Sequence, residues 1–187
     1  MIICICGKSG SGKTTFSKKL QEKFVRSIYI NVDDIAHKVL EKESVKQKIR
    51  KYFGNDLIID NMINRKKLGR IVFHSKEANK YFEEITWPYM EEEIDNLIAD
   101  NQEKIILLDY ILLPKTKYFK KAPYRILLDI PLNIRRERIL MRDHIDDEYF
   151  NIRDNACDEY DYLDFNYILH DDEEMMNFIK NINIKNL

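Results

Sequence analysis

The sequence has no excess of either charge: 31 Lys and Arg stand against 32 Asp and Glu, for a formal net charge of −1. Binding to a phosphate backbone normally shows as a basic excess or patch, so no nucleic-acid partner is expected. Long apolar runs are also missing. None approaches the roughly 20 residues that a membrane span needs, and no membrane partner is expected. Cysteine is scarce, and Cys4, Cys6 and Cys157 are too few and too poorly placed for a disulfide framework. Cys4 and Cys6 lie two apart, so in a strand they share a face and read as small buried apolar side chains. His37, His74, His144 and His170 are unevenly scattered, which argues against a metal site built on histidine. There is no internal repeat, linker or low-complexity segment. A candidate phosphate loop begins at Gly7, so no signal peptide is expected ahead of the first strand, and the expected location is the cytoplasm.

What is present fits one globular domain with a sizeable insertion. The 187 residues are 44% hydrophobic and 34% charged, enough for a core under a heavily charged exterior. Ile2–Cys6 (IICIC) is a short apolar run rich in β-branched residues, the pattern of a fully buried strand. A helix is predicted over Thr14–Phe24, where Phe16, Leu20 and Phe24 recur at helical spacing. A strand is predicted at Ser27–Asn31, followed by a helix from about Asp33. From Ser44 to about Asp100 the chain is polar, helical in character and almost free of strand signals, predicting a cap of three or four helices. Further strands are predicted at Ile105–Asp109, Tyr124–Asp129 and Phe165–Leu169. Helices are expected from Pro131 to about Met141 and over Ile145–Tyr162. Strands alternating with helices predict an α/β fold with a parallel sheet covered on both faces.

The segment Gly7-Lys8-Ser9-Gly10-Ser11-Gly12-Lys13-Thr14 matches G-x-x-x-x-G-K-[ST] at every fixed position, between a predicted strand and a predicted helix. Glycines let the backbone curl so that successive N–H groups face phosphate oxygens, and the helix N-terminus adds partial positive charge. In that chemistry Ser9, Gly10, Ser11, Gly12, Lys13, Thr14 and Thr15 bind ATP. Lys13 reaches the β- and γ-phosphates, and the Thr14 hydroxyl ligates Mg²⁺.

A phosphate loop is shared by kinases, GTPases and mechanical ATPases. Asp109 ends its strand in a position suited to a place near Mg²⁺, but the next residue is Tyr110, where hydrolytic ATPases commonly carry a water-activating Glu. Neither N-K-x-D nor D-x-x-G, the marks of a GTPase, is found. Transfer to an acceptor is therefore favoured over hydrolysis. Asp33 follows the second strand at the sheet edge where such folds bind ligands, and a carboxylate there can take a hydroxyl proton as the nucleophile attacks. The other reading of Asp33 or Asp34 is a helix N-cap. Arg135, Arg136, Arg138 and Arg142 stud one helix, with Arg138 and Arg142 on a shared face. They suit a lid that neutralises charge on the transferring phosphoryl group, or else a solvated basic face.

Read together, these segments resemble the dephospho-coenzyme A kinase family from residue 2 to about 171. The family's phosphate loop ends in G-S-G-K-[ST]-T, here Gly10 to Thr15. Its D-x-D-x-[IL]-A-[RH] motif is similar to Asn31–His37, which keeps the second aspartate as Asp33. Phe53-Gly54 and Ile63–Phe73 resemble a further segment that has no general phosphate-loop role, and Arg138 and Arg142 resemble the R-x-x-x-R of the family's lid. The resemblance implies a three-layer P-loop fold with a five-stranded parallel sheet, a helical substrate-binding insertion and a lid. On this sequence it implies a core over 1–43 and 101–187, an insertion over about 44–100 and a lid over about 138–160. It implies ATP with Mg²⁺, dephospho-coenzyme A as acceptor, and a monomer or weak oligomer. Catalysis would fall to Lys13, Asp33, Arg138 and Arg142, and acceptor binding to Asp33, Arg65, Trp87, Pro88 and Asp109.

The sequence also departs from the family. Trp87-Pro88 stands for His-Pro, Ile111–Lys115 for P-L-L-[FY]-E, Asn155 for a late glutamine, and Phe165–Asp171 for A-D-x-x-I-x-N. These departures keep two alternatives open: a related kinase acting on a nucleoside, nucleotide or other small hydroxyl compound, and a nucleotide-binding regulator without transfer.

Overall fold

The computed structural model describes residues 1–182. They form two compact units, one of Met1–Asn31, Asp100–Asp146 and the chain from Asp158 on, the other of Val32–Ala99 and Asp147–Cys157.

The first unit opens with β1 (Ile2–Cys6), which runs through the phosphate loop into α1 (Lys13–Lys23) and β2 (Ser27–Asn31). In the second unit the chain forms α2 (Val32–Val39) and α3 (Glu43–Phe53). A short hairpin of β3 (Ile58–Ile59) and β4 (Met62–Ile63) follows, then α4 (Arg65–His74) and the long α5 (Lys76–Ala99). Back in the first unit come β5 (Ile105–Asp109), α6 (Lys117–Lys121), β6 (Tyr124–Leu128) and α7 (Leu132–Asp143). The second unit reclaims α8 (Asp147–Asn155), and β7 (Tyr167–Leu169) and α9 (Asp172–Asn181) complete the first.

The first unit is built on a five-stranded sheet in the order β2-β5-β1-β6-β7, every pairing parallel. Parallel strands need both faces covered, which is why the three central strands read as continuous apolar runs. Alternation then divides β1 between the two faces. Ile3 and Ile5 join Phe16 and Leu20 of α1 and Met175 and Ile179 of α9 in one buried cluster. Cys4 and Cys6 point to the other face, the side packed by α6. Burying a side chain such as Leu20, with no exposed surface, contributes about 2 kcal/mol, and this is what holds α1 on the sheet. Cys4 Sγ is pushed up to about 12 by burial, with Arg125 pulling it slightly back, and burial pushes Cys6 well above its ordinary value. Both thiols are protonated packing groups, as their spacing predicted.

In the second unit α5 is the central element, with α2, α3 and α4 against it and α8 against α4. Val45, Ile49, Leu68, Val72, Ile85, Met90, Ile94 and Phe150 fill its interior. Tyr52 and Tyr81 stack at 3.7 Å between ring centroids. A Cβ on Gly69 would lie 2.9 Å from the Tyr149 hydroxyl, so the bare backbone there lets α4 and α8 approach. That contact gives one residue of the Ile63–Phe73 segment a packing reason that the sequence did not reveal.

Three local expectations are corrected. The stretch from Ser44 to Asp100 contains the β3–β4 hairpin, turned at Asp60 and Asn61, both with positive φ (49° and 62°). Such turns favour Asp and Asn, but strands of two residues are too short to raise a periodic signal. The helix expected over Ile145–Tyr162 is confined to Asp147–Asn155, and the following segment runs irregularly to a 3₁₀ turn at Tyr162–Asp164. Pro131 caps α7 rather than sitting in its first turn, and that helix continues to Asp143.

Candidate active site

The phosphate loop leaves the carboxyl end of β1, the central strand, between β5 and β6. Gly7, Gly10 and Gly12 all have positive φ, at 152°, 82° and 87°. At the first two, space is also short. A Cβ on Gly7 would stand 2.5 Å from Ser11 Oγ and 2.7 Å from the Leu128 carbonyl, and one on Gly10 would stand 2.6 Å from the Arg135 carbonyl. At Gly12 nothing comes nearer than 3.7 Å, so backbone conformation alone requires glycine there.

The N-terminus of α1 is left open. Gly12 offers no side-chain cap, and the first turn holds no acid. The contrast with α9 is instructive: Asp171 accepts a hydrogen bond from Glu174 N at 2.7 Å, and Asp172, Glu173 and Glu174 crowd its first turn. One helix has its positive end satisfied from within, and the other keeps free N–H groups and partial positive charge for an outside anion. Thr14 and Thr15 are exposed in that open turn, and Ser11 is buried within the loop. Lys13 folds back over the loop, its ammonium donating to the Gly7 carbonyl at 2.8 Å and reaching the Lys8 carbonyl at 3.5 Å.

Asp109 ends β5 in register with Ile5 of β1 and Asn31 of β2. It is 1% exposed, and its Oδ2 accepts a hydrogen bond from the Tyr29 hydroxyl at 2.8 Å. An aspartate oxygen and the Thr14 hydroxyl are hard oxygen donors of the kind Mg²⁺ takes one or two at a time, so the residues present fit that ion.

The arginines of α7 separate by role. Arg135 is buried, donating from Nε to the Ile130 carbonyl at 2.9 Å and from Nη1 to the Ser9 carbonyl at 3.4 Å, so it braces the loop from behind. Arg138 reaches the Gly10 carbonyl at 3.4 Å and pairs with Asp172 at 2.8 Å. Arg142, 64% exposed, forks onto its neighbour Asp143 at 2.6 and 3.0 Å.

The chain between α8 and β7 lies against the loop. The Tyr160 hydroxyl accepts from Gly7 N at 3.3 Å and donates to the Ile111 carbonyl at 2.9 Å. Glu159 pairs with Lys8 at 2.6 Å, and Asp158 with Lys115 at 2.6 Å. Sequence reasoning missed Lys8, Arg135 and Tyr160 as loop contacts. Lys8 occupies an unrestricted position of the motif, and Tyr160 lies over 150 residues away, in a stretch that read as a solvated helix.

Ser9 to Thr15, Asp109, Arg138 and Arg142 belong to the first unit, where Arg138 reaches the loop and Arg142 is drawn to Asp143. Asp33, Arg65, Trp87 and Pro88 belong to the second. Asp33 lies in the first turn of α2, directly after β2. Arg65 is the first residue of α4, whose N-cap Asn64 accepts from Lys67 N at 3.0 Å. Trp87 and Pro88 sit inside α5, where the proline withholds one N–H from the helix ladder.

Known proteins agree with this architecture. The dephospho-CoA kinase family model matches residues 1–160. The dephospho-CoA kinase of Fusobacterium nucleatum is 34% identical over 149 residues, 79% of this chain and 76% of its own. That of Lactobacillus johnsonii is 32% identical over 143 residues, 74% of this chain and 71% of its own. A third, from Dehalococcoides mccartyi, is 38% identical over 104 residues, 55% of this chain and about half (52%) of its own length. Among solved structures, a Thermus thermophilus protein superposes with a TM-score of 0.78 at 20% identity, covering 96% of this chain and 94% of its own. The dephospho-CoA kinase of Campylobacter jejuni does so with a TM-score of 0.66 at 24% identity, covering 100% and 98%. At those identities the structural likeness speaks for the fold, and the family rests on the match over residues 1–160. A phosphate loop set on the central strand of this parallel sheet, within a sequence that follows one family's pattern through most of its length, places the chain in the dephospho-CoA kinase family.

Proposed function

We propose that the protein transfers the γ-phosphoryl group of ATP to the 3′-hydroxyl of the ribose of dephospho-coenzyme A, giving coenzyme A and ADP. The observation that carries this reading is the open, acid-free N-terminus of α1 beneath Lys13, in a chain matched by the family model over residues 1–160. In this reading the N–H groups from Ser9 to Thr15 hold the phosphates. Lys13, already poised over the loop, neutralises charge on the β- and γ-phosphates. Thr14 and Asp109 would hold Mg²⁺, which when bound neutralises phosphate charge.

Asp33 serves as the base, accepting the proton of the ribose hydroxyl as its oxygen attacks the γ-phosphorus. Arg138 and Arg142 offset the charge that spreads over the transferring group, as part of a lid over about 138–160. Arg65, Trp87, Pro88 and Asp109 contact the acceptor, and the helices within 44–100 supply its binding surface. The protein works in the cytoplasm as a monomer or weak oligomer, without a nucleic-acid partner. Among the described residues no helix is long and apolar enough to cross a membrane.

The test is ADP release from ATP and Mg²⁺ by the purified protein, with and without dephospho-coenzyme A, and the product identified by mass. The expected result is acceptor-dependent ADP together with coenzyme A. Protein that binds ATP but stays silent with this acceptor refutes the assignment.

A further inference from the structure

The phosphate loop carries two lysines, and they are held in different ways. Lys13 rests on a backbone carbonyl, which brings no counter-charge. Lys8 is held by a carboxylate: its ammonium lies 2.6 Å from Glu159 Oε1. The pair is asymmetric, since the Lys8 side chain is 14% exposed and that of Glu159 is 88% exposed. A recessed cation on the loop is therefore covered from outside by a carboxylate that faces solvent.

The covering residue is not there by accident of a loose loop. The residue after it, Tyr160, bridges Gly7 N and the Ile111 carbonyl, and its ring packs edge-on against Phe165 with centroids 5.7 Å apart. Phe165 in turn packs on Phe119 of α6. The residue before it, Asp158, is tied to Lys115. Glu159 is thus anchored on both sides and presented to Lys8.

We propose that Lys8 is a second phosphate-binding lysine of this site, and that Glu159 is its built-in counter-ion, displaced when a polyphosphate enters. The inference rests on the loop being the nucleotide site, as proposed above. A carboxylate and a phosphate are both anions that an ammonium can hold by charge-assisted hydrogen bonds, and Lys8 can serve only one of them well. Binding a nucleotide then carries the cost of breaking the Lys8–Glu159 pair, and losing the phosphate lets the pair re-form. Glu159 weakens nucleotide binding and favours release of product. The effect must scale with phosphate charge, because a neutral nucleoside has nothing to offer Lys8.

The experiment is calorimetric titration of the full chain with ATP, ADP and adenosine, for the native protein, Glu159→Gln, Lys8→Met and the double variant. Breaking an exposed ion pair is a small effect, so Glu159→Gln is expected to tighten ATP about three-fold, ADP less, and adenosine not at all. In the Lys8→Met background the Glu159 substitution is expected to have no further effect, because the group that both anions contest is gone. Equal ATP affinity in the native protein and Glu159→Gln overturns the proposal. So does a gain that persists without Lys8, which makes Glu159 a general negative charge rather than a competitor, or a gain of equal size for adenosine. Thermal melts of all four proteins verify that each is folded, and a native protein that binds no ATP instead removes the nucleotide site itself.

Discussion

Two glycines of the phosphate loop look equivalent in backbone conformation and should differ sharply on substitution. Gly10 and Gly12 have φ of 82° and 87°, so alanine at either position carries the left-handed penalty of about 1–2 kcal/mol. Gly12→Ala should cost little beyond that, because the added methyl meets nothing nearer than Arg138 Nη1 at 3.7 Å. At Gly10 the methyl would stand 2.6 Å from the Arg135 carbonyl and 3.0 Å from both Arg135 Cα and Ile139 Cγ1. Backbone cannot swing aside as a side-chain tip can, so the loop and α7 must part, adding about 1–3 kcal/mol of overpacking. For a chain of this size 1 kcal/mol corresponds to about 2–4 °C in Tm. Scanning calorimetry should therefore find Gly12→Ala lowered by about 2–8 °C, and Gly10→Ala by roughly twice as much as Gly12→Ala in the same buffer. Equal losses, or a larger loss at Gly12, would show that contact with α7 is not what constrains Gly10.

Asp33→Asn should leave ATP affinity within about two-fold while turnover falls by about 10²-fold or more, the scale of a lost general base; near-normal turnover removes Asp33 from the mechanism. Arg142→Ala should slow turnover more than it weakens ATP binding, measured by steady-state kinetics beside calorimetry. An unchanged rate leaves Arg142 as a surface partner of Asp143. Titration of the native protein with a thiol reagent at pH 8 should modify Cys157 alone of the three cysteines. Burial raises Cys4 and Cys6, so both stay protonated and shielded well above that pH, and all three should react in denaturant. Rapid modification of three thiols in the native protein would contradict the buried placement of β1.

The motif and its setting were legible in the sequence because they depend on local chemistry. Ile2–Cys6 and Ile105–Asp109 appear as strands at the predicted bounds, since a strand buried on both faces must be a short, continuous apolar run, and the half-buried edge strand Ser27–Asn31 also appears as predicted. The glycines, Lys13 and Thr14 were readable because a phosphate cradle demands particular residues at particular spacings. The β3–β4 hairpin was invisible, its strands being too short to be periodic. So was α9, whose Asp171 cap falls where the reading stopped at a strand.

Tertiary structure alone decided which charges share the loop. In the sequence the four arginines of α7 read as a lid or a solvated basic face, with only Arg138 and Arg142 on a shared side. Folding buries Arg135 against the Ser9 carbonyl, turns Arg138 toward Gly10 and Asp172, and leaves Arg142 on Asp143. Lys8 and Glu159 are 151 residues apart, and no pattern links them. They meet because the crossover from β6 to β7 passes the carboxyl end of β1 at Glu159 and Tyr160 before the chain enters β7 at the amino end of the parallel strands. Local patterns state what each segment is. Sheet order states what each segment touches, because contacts between distant residues are set by how whole elements pack rather than by the residues' own preferences.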